Sequence, residues 1–315
     1  MTHTFSFSIE SVNSLFFNSP KPGHAITVHS GLFHADDVCA TAFLEILNED
    51  FGWTQPEIIR TRNIDEARGV FIDVFEGPFD HHGAAAGVDE AGVPFSGFSR
   101  VFIHLVKENG LEGDRALQLF KQRVVDPVSK LDNGQALADG EFSMFSWVNA
   151  FNPGFGDDDV DRHFTMAVSA AKPIIRAAWS KAVQDAAGEK EFEHVLKLAN
   201  LGHTVVEVPK GLDNIWPRAL AGTKANFAII NADNTWFIQC VPQSETDLFS
   251  KKIPLPKRWA GLRGEDLAKE SGLEEAVFCH VGRFIAGFKT RESAHLAATI
   301  AVVEDAAAFE RGEDE

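Results

Sequence analysis

The stretch "AITVHSGLFHADDVCATAFLEIL" constrains the fold more than any other part of the chain. Ala25 to Val28 is a short apolar run that reads as a buried strand. A polar loop follows through Asp37, and then Ala40, Phe43, Leu44 and Leu47 recur at helical spacing. Two more strand-like runs come next, "PEIIRTR" and "GVFIDVF", the second ending near Asp73. Strand, helix, strand, strand is the order of a parallel α/β sheet. In such a sheet the loops after the carboxyl ends of the strands converge on one crevice.

That crevice would collect an unusual set of side chains. His29, His34 and Asp36 follow the first strand, Asp73 ends another, and Asp80, His81 and His82 lie a short loop later in "FDHHG". Taken singly, Asp73 reads more readily as a cap or turn residue, and His34 is no more telling; their recurrence after successive strands reverses that. A further helix face, Leu117, Phe120, Val124, Val128 and Leu131, ends at the turn signal "DNG" and brings Asp132 toward the same place. Asp126 lies six residues earlier, about 240° around a helix at 100° per residue, so it cannot face the same point as Asp132 without a break. Carboxylates and imidazoles without a thiolate suit Mn²⁺ or Mg²⁺, with zinc less favoured. Two such ions bridged by a carboxylate are a usual device for displacement at phosphorus, so the chemistry implied is phosphoester hydrolysis.

At 315 residues, 44% hydrophobic and 24% charged, the chain suits two globular domains. "FNPGFGDDDVD" is a break, and a long helical region from Arg162 to about Leu198, interrupted or kinked at Pro173, leads to a boundary placed between 190 and 203. Beyond it "HTVVEVPKG", "ANFAIINADNTWFIQCVP" and "AVFCHVGRFIAGF" are strand-like, "NADNT" suits a hairpin turn, and "TRESAHLAATIAVVEDAAAF" is a closing helix with Thr290 as its N-cap. A net charge of −17 argues against gathering long polyanions by surface electrostatics alone. "KKIPLPKRWAGLR" is the one basic, aromatic stretch, and it reads equally as an RNA-binding patch or as a structured loop with solvated lysines. Three widely spaced cysteines, Cys39, Cys240 and Cys279, suggest neither a disulfide framework nor a thiolate zinc site and fit a reducing cytoplasm. The N-terminal "MTHTFSFSIESVNSLFFNSPKPG" has no secretory or membrane-spanning pattern and reads as an arm or a disordered segment.

"HSGLFHADD", "FIDVF", "DHHG" and "KLDNG", in that order, resemble the four motifs of the DHH phosphoesterase superfamily. More narrowly the chain resembles the melanocyte-proliferating-gene family, whose first motif runs His-Asn-Gly-Thr-Phe-His-Cys-Asp-Glu. "VPKGLDNIWPRAL" and "LPKRWAGLRGEDLAKESGLEEAVFCHVGRFIAGFKTRESA" resemble its C-terminal segments, so the likeness spans about residues 25 to 303. It implies a two-domain α/β fold, with a parallel-sheet metal-binding domain over 25–190, a smaller α/β substrate-binding domain over 200–305, and residues 1–24 as an arm. It also implies a metal-dependent 3′-to-5′ exonuclease on RNA or short oligonucleotides, with two divalent ions, Mn²⁺ favoured and Mg²⁺ admitted, no membrane partner, and homodimerisation left open.

Carried over by position, the resemblance makes His29, His34 and Asp36 the first metal motif, Asp73 the bridging carboxylate, His81 a ligand of the second ion and Asp132 the carboxylate of the fourth motif. Asp80 would orient a histidine and His82 would contact the phosphate or assist protonation. His280, Arg283 and Lys289 would hold the substrate. Two departures stand out: Asp37 replaces the usual Glu, and Ser129 stands where the family's Asp-Ala-Ile-Asp pattern has its first aspartate. The alternatives are a small-molecule phosphatase or pyrophosphatase on the same site, and a regulatory homologue that lost turnover through Ser129.

Overall fold

The computed structural model describes residues 3–83, 86–135, 144–154, 156–212 and 215–311. Phe155 of the break and Asp213 and Asn214 of the "VPKGLDN" segment lie outside the described residues. The chain divides into two compact units, Met1–Ala186 and Ala187–Glu315.

In the first unit helix α1 (Ile9–Phe17) precedes β1 (Ala25–Val28), which is buried throughout and sits between two parallel neighbours, β2 (Glu57–Arg60) and β3 (Val70–Phe71). The chain leaves β1 for β2 on one side and returns to β3 on the other, so the carboxyl ends of β1 and β3 frame the crevice. The first crossover is helix α2 (Ala35–Asp50), whose Val38, Ala42, Phe43, Ile46 and Leu47 are buried. The loop expected through Asp37 is in fact the first turn of α2. Asp37 Oδ1 accepts the backbone N–H of His34 at 3.1 Å, and this cap starts the helix earlier than the apolar spacing suggests.

The apolar run "GVFIDVF" likewise makes a shorter strand than it suggests. Asp73 takes a φ of 53°, and Phe75 and Glu76 follow at 63° and 52°, so the backbone turns out of the sheet where the chemistry is needed. Helix α3 (Gly97–Glu108) packs Phe98 and Phe102 on Phe43, with ring centroids 5.8 and 5.9 Å apart. The segment from Asp114 to Asp132 is one helical run in three parts: α4 (Arg115–Phe120), a π turn over Lys121–Val125, and α5 (Asp126–Asp132).

Residues read from sequence as an arm belong to the core here. Phe5 stacks on Trp179 at 4.4 Å and meets Phe43 edge-on at 5.0 Å, and Phe7 and Phe16 are buried in the same core. Each buried ring contributes on the order of 1.5–3 kcal/mol. The long helix runs unbroken from Val160 to Leu201, straight through Pro173, and crosses the boundary between the units.

The second unit is built on a five-stranded sheet. Two of its strands, Val205–Val208 and Phe227–Ala232, are parallel; Phe227–Ala232, Thr235–Cys240, Ile285–Phe288 and Ala276–Cys279 then follow antiparallel, in that spatial order. Asp233 and Asn234, at φ of 50° and 61°, form the tight hairpin turn expected from "NADNT". The closing helix Arg291–Arg311 lays Ala294, Ala297, Ala298 and Ala301 on Phe227, Ile229 and Phe288, and Thr290 Oγ1 accepts the Ser293 N–H at 3.2 Å as its cap. Trp259 is fully buried in this core, Lys252 Nζ donates to the carbonyls of Leu220, Thr223 and Ala225, and Arg258 pairs with Glu304. Those three residues of "KKIPLPKRWAGLR" therefore serve the loop's own structure. Among the described residues no helix is long and apolar enough to cross a membrane.

Candidate metal centre

Two histidines anchor the crevice. His29, one residue past β1, places Nε2 3.1 Å from Asp37 Oδ2 and 3.7 Å from Asp73 Oδ2. His81 places Nε2 3.0 Å from Asp132 Oδ2, 3.1 Å from Asp73 Oδ1 and 3.7 Å from Asp36 Oδ2. Asp73 thus lies between the imidazoles, and Asp36 falls on the His81 side. Three sets of side chains could each hold a cation, with ligand atoms within 4.8 Å of one another: His29, His34 and Asp73; Asp73, His81 and His82; and His34, Asp36 and Asp132. Asp73 and His34 are shared between sets.

Crowding sets the electrostatics. Burial pushes the Asp36 carboxyl well above its usual range, and the carboxylates of Asp132, Asp73 and Asp37 push it further. Burial also raises Asp37, partly offset by His29. For His81, burial would lower the pKa, but the Asp132 and Asp73 carboxylates more than reverse it and push it up to about 10. His29 is raised in the same way: burial would lower it, and the Asp37 carboxylate outweighs that. Removing charges from water costs several kcal/mol each, so packing four carboxylates around two imidazoles is unfavourable without more positive charge.

The atoms left over show what the centre lacks. Asp36 Oδ1, Asp37 Oδ2, Asp73 Oδ1 and His81 Nε2 are buried and make no aligned hydrogen bond, although Asp37 Oδ2 faces His29 Nε2 and Asp73 Oδ1 faces His81 Nε2, each at 3.1 Å. Folded proteins rarely leave such atoms unmatched. His29 Nδ1 donates to the Ser30 carbonyl at 3.2 Å, which fixes the tautomer and leaves a lone pair on Nε2 when the ring is neutral. Oxygen and imidazole donors in this arrangement fit divalent cations.

The remaining residues named from sequence divide clearly. Asp80 accepts the His82 ring Nδ1–H and backbone N–H, both at 3.0 Å, and the Glu76 N–H at 2.8 Å, which holds its carboxyl below the usual range against the effect of burial. His82 and His34 are exposed, both lining a pocket of about 590 Å³ beside the cluster. Asp126 is turned away and pairs with Lys121 at 2.7 Å. In the second unit His280 and Arg283 share the Cys279–Ile285 turn, where the Arg283 N–H donates to the His280 carbonyl at 2.9 Å. Lys289 follows strand Ile285–Phe288 directly, at the end of that strand opposite the turn that holds His280 and Arg283.

Ser129 is buried, with its hydroxyl on two protein oxygens. Its hydroxyl donates to the Val125 carbonyl at 3.0 Å and lies 2.8 Å from Ser96 Oγ, which caps α3. The next residue, Gly97, donates its N–H to Asp36 Oδ2 at 3.0 Å. A Cβ at Gly97 would stand 2.9 Å from Ile72 Cγ2 and 3.2 Å from that oxygen, so only glycine admits this approach. Ser129 therefore ties the helix that carries Asp132 to the helix that holds Asp36. Sequence reasoning noted Asp37 only as a mild replacement and passed over Ser96, Gly97 and Arg62; nothing in their spacing marks them.

A model of the MYG1_exonuc family, described as "Uncharacterised protein family (UPF0160)", matches residues 25–302. The MYG1 protein C27H6.8 of Caenorhabditis elegans is 27% identical over 85% of this chain and 92% of its own length, and the MYG1 exonuclease of Homo sapiens is 26% identical over 85% of this chain and 83% of its own. Among solved structures, RecJ from Thermus thermophilus in complex with Mg²⁺ is 13% identical, with a TM-score of 0.26 over 96% of this chain and 53% of that one. The chain belongs to the MYG1_exonuc family, UPF0160.

Proposed function

We propose that the chain is a metal-dependent phosphodiesterase, an exonuclease that removes nucleotides from the 3′ end of RNA or short oligonucleotides with two divalent ions, Mn²⁺ or Mg²⁺. One observation carries this reading: the buried, unmatched oxygens of Asp36, Asp37 and Asp73 converge with His81 at the carboxyl ends of β1 and β3. The naming of a human relative as an exonuclease supports the choice of nucleic acid. His29, His34 and Asp37 would hold one ion, His81, Asp36 and Asp132 the other, with Asp73 common to both. When bound, such ions would neutralise phosphoryl oxygens and make a water more acidic.

The chain's own residues supply the rest. Asp80 holds His82 through Nδ1, which turns the opposite ring nitrogen outward from the carboxylate cluster, where it can meet a phosphate oxygen or return a proton to the leaving group. Gly97 and Ser96 keep Asp36 oriented. The regulatory alternative rests on Ser129 as a missing ligand; its hydroxyl bonds Ser96 and Val125, and turnover by the parent chain separates the two readings. The test is the purified chain with Mg²⁺ or Mn²⁺ on RNA of several lengths labelled at either end, beside pyrophosphate and p-nitrophenyl phosphate. Stepwise loss of 3′ nucleotides that stops with a chelator is expected. Activity confined to the small esters would favour the phosphatase alternative.

A further inference from the structure

The pocket beside the candidate metal centre carries one guanidinium. Among the described residues that line it, Arg62 is the lone arginine or lysine, set among Asp73, Asp80, His29, His34 and His82. Arg62 lies two residues past the end of β2 and is exposed. Its Nε donates to the Ser30 carbonyl at 3.2 Å, the same oxygen that accepts from His29 Nδ1. One backbone carbonyl therefore fixes both a candidate ligand and the guanidinium. Among the described residues no carboxylate lies within 4.0 Å of Arg62, so its terminal nitrogens are not neutralised by an ion pair.

Its neighbour in sequence makes the contrast. Arg60 is buried at its guanidinium: it pairs with Asp161 at 2.6 Å, donates to the carbonyls of His29 and Gly31, and packs over the Phe164 ring at 4.8 Å. Arg60 is used up in holding the loop, whereas Arg62 is held at one nitrogen with its fork left to a ligand. A guanidinium fixed through Nε still offers Nη hydrogens in a geometry that matches two phosphate oxygens. Leu32, exposed, and Phe75, half-buried in the left-handed turn after Asp73, add apolar surface to the same pocket.

We propose that Arg62 is a phosphate-binding residue of the first unit, alongside His82, and that the pocket takes a phosphorylated nucleotide with its phosphate on Arg62 and its apolar part against Leu32 and Phe75. This rests on the phosphodiesterase reading above and moves part of substrate capture from the second unit to the first. Arg62 offsets the carboxylates that would otherwise repel an anion from an acidic chain.

The test is calorimetric titration of the full chain with AMP, adenosine and inorganic phosphate in saturating Mg²⁺, for the parent, Arg62→Ala, Arg62→Gln and Arg62→Lys. Arg62→Ala and Arg62→Gln should weaken AMP binding about 10- to 100-fold, the loss expected for a charge-assisted bidentate contact, and Arg62→Lys should fall between. Adenosine, lacking the phosphate, should bind all four proteins alike, and Mg²⁺ affinity and melting temperature should hold within a factor of two and a few degrees. Equal AMP binding by parent and Arg62→Ala, or no AMP binding by a parent that binds Mg²⁺, overturns the proposal. A loss of Mg²⁺ binding in both Arg62→Ala and Arg62→Gln also overturns it, since Arg62 would then act on the metal ligands. A parent that binds no divalent ion and cleaves no phosphodiester fails the underlying reading instead, which the same titrations with Mg²⁺ alone reveal.

Discussion

The crevice of the first unit treats charge differently from the paired groups of the second. In the second unit Glu207 accepts from Arg291 and His295 at 2.5–2.7 Å, and Lys252 reaches three carbonyls. In the first unit Asp36, Asp37 and Asp73 are buried side by side, with His29 and His81 against their oxygens and no aligned hydrogen bond to Asp36 Oδ1, Asp37 Oδ2 or Asp73 Oδ1. Satisfied polar groups hold a fold together; buried unsatisfied ones lower its stability and persist where a ligand uses them. The contrast supports the proposal that the chemistry belongs to the crevice of the first unit and not to the pairs of the second.

The sharpest way to break this contrast is Asp73→Asn. Losing the shared carboxylate should cut hydrolysis by far more than the roughly 10–100-fold typical of outer-shell partners. The metal-free variant should melt at or above the parent's temperature, because one charge leaves a crowded cluster. A lower melting temperature together with intact activity would place Asp73 among the structural pairs.

Next in size is the comparison along one helix. Asp132→Ala should remove most activity and weaken one ion, whereas Asp126→Ala should leave turnover nearly unchanged and cost up to about 1 kcal/mol of stability, since Lys121 loses one of two carboxylate partners and keeps Asp89, read by denaturant unfolding. Equal effects on turnover would erase the distinction between cluster and pair.

How legible this was in the sequence differs by kind of contact. His29, Asp73, His81 and Asp132 were readable because strand ends and a helix end put them in one crevice. Ser96, Gly97 and Arg62 act through a hydroxyl, an N–H and a single carbonyl, and such contacts leave no periodicity. Phe5 and Phe7 joined the core from a segment with no pattern, since stacking on Trp179 depends on tertiary packing alone.

Proton linkage sharpens the comparison further. His81 is pushed up to about 10 and so carries a proton near neutrality in the metal-free fold, and an ion must displace it. Ion affinity should therefore rise with pH, by up to about tenfold per unit below that value for one displaced proton, and flatten above it. Calorimetry in buffers of different ionisation enthalpy should detect the released proton. The smallest effect expected is that of Ser129→Ala: about tenfold in ion affinity, through Ser96 and Asp36, with Ser129→Thr recovering part of it. Ser129→Asp should raise neither ion binding nor turnover; if it raised both, the lost aspartate would be a lost ligand.

The central claim is that the unmatched atoms around Asp73 bind divalent ions. Equilibrium dialysis against Mn²⁺, with elemental analysis of the parent and of Asp73→Asn, tests it most directly. The parent should hold two ions tightly per chain and the variant should lose at least one; a parent that retains none, or a variant that retains the same number with the same affinity, rules this binding site out.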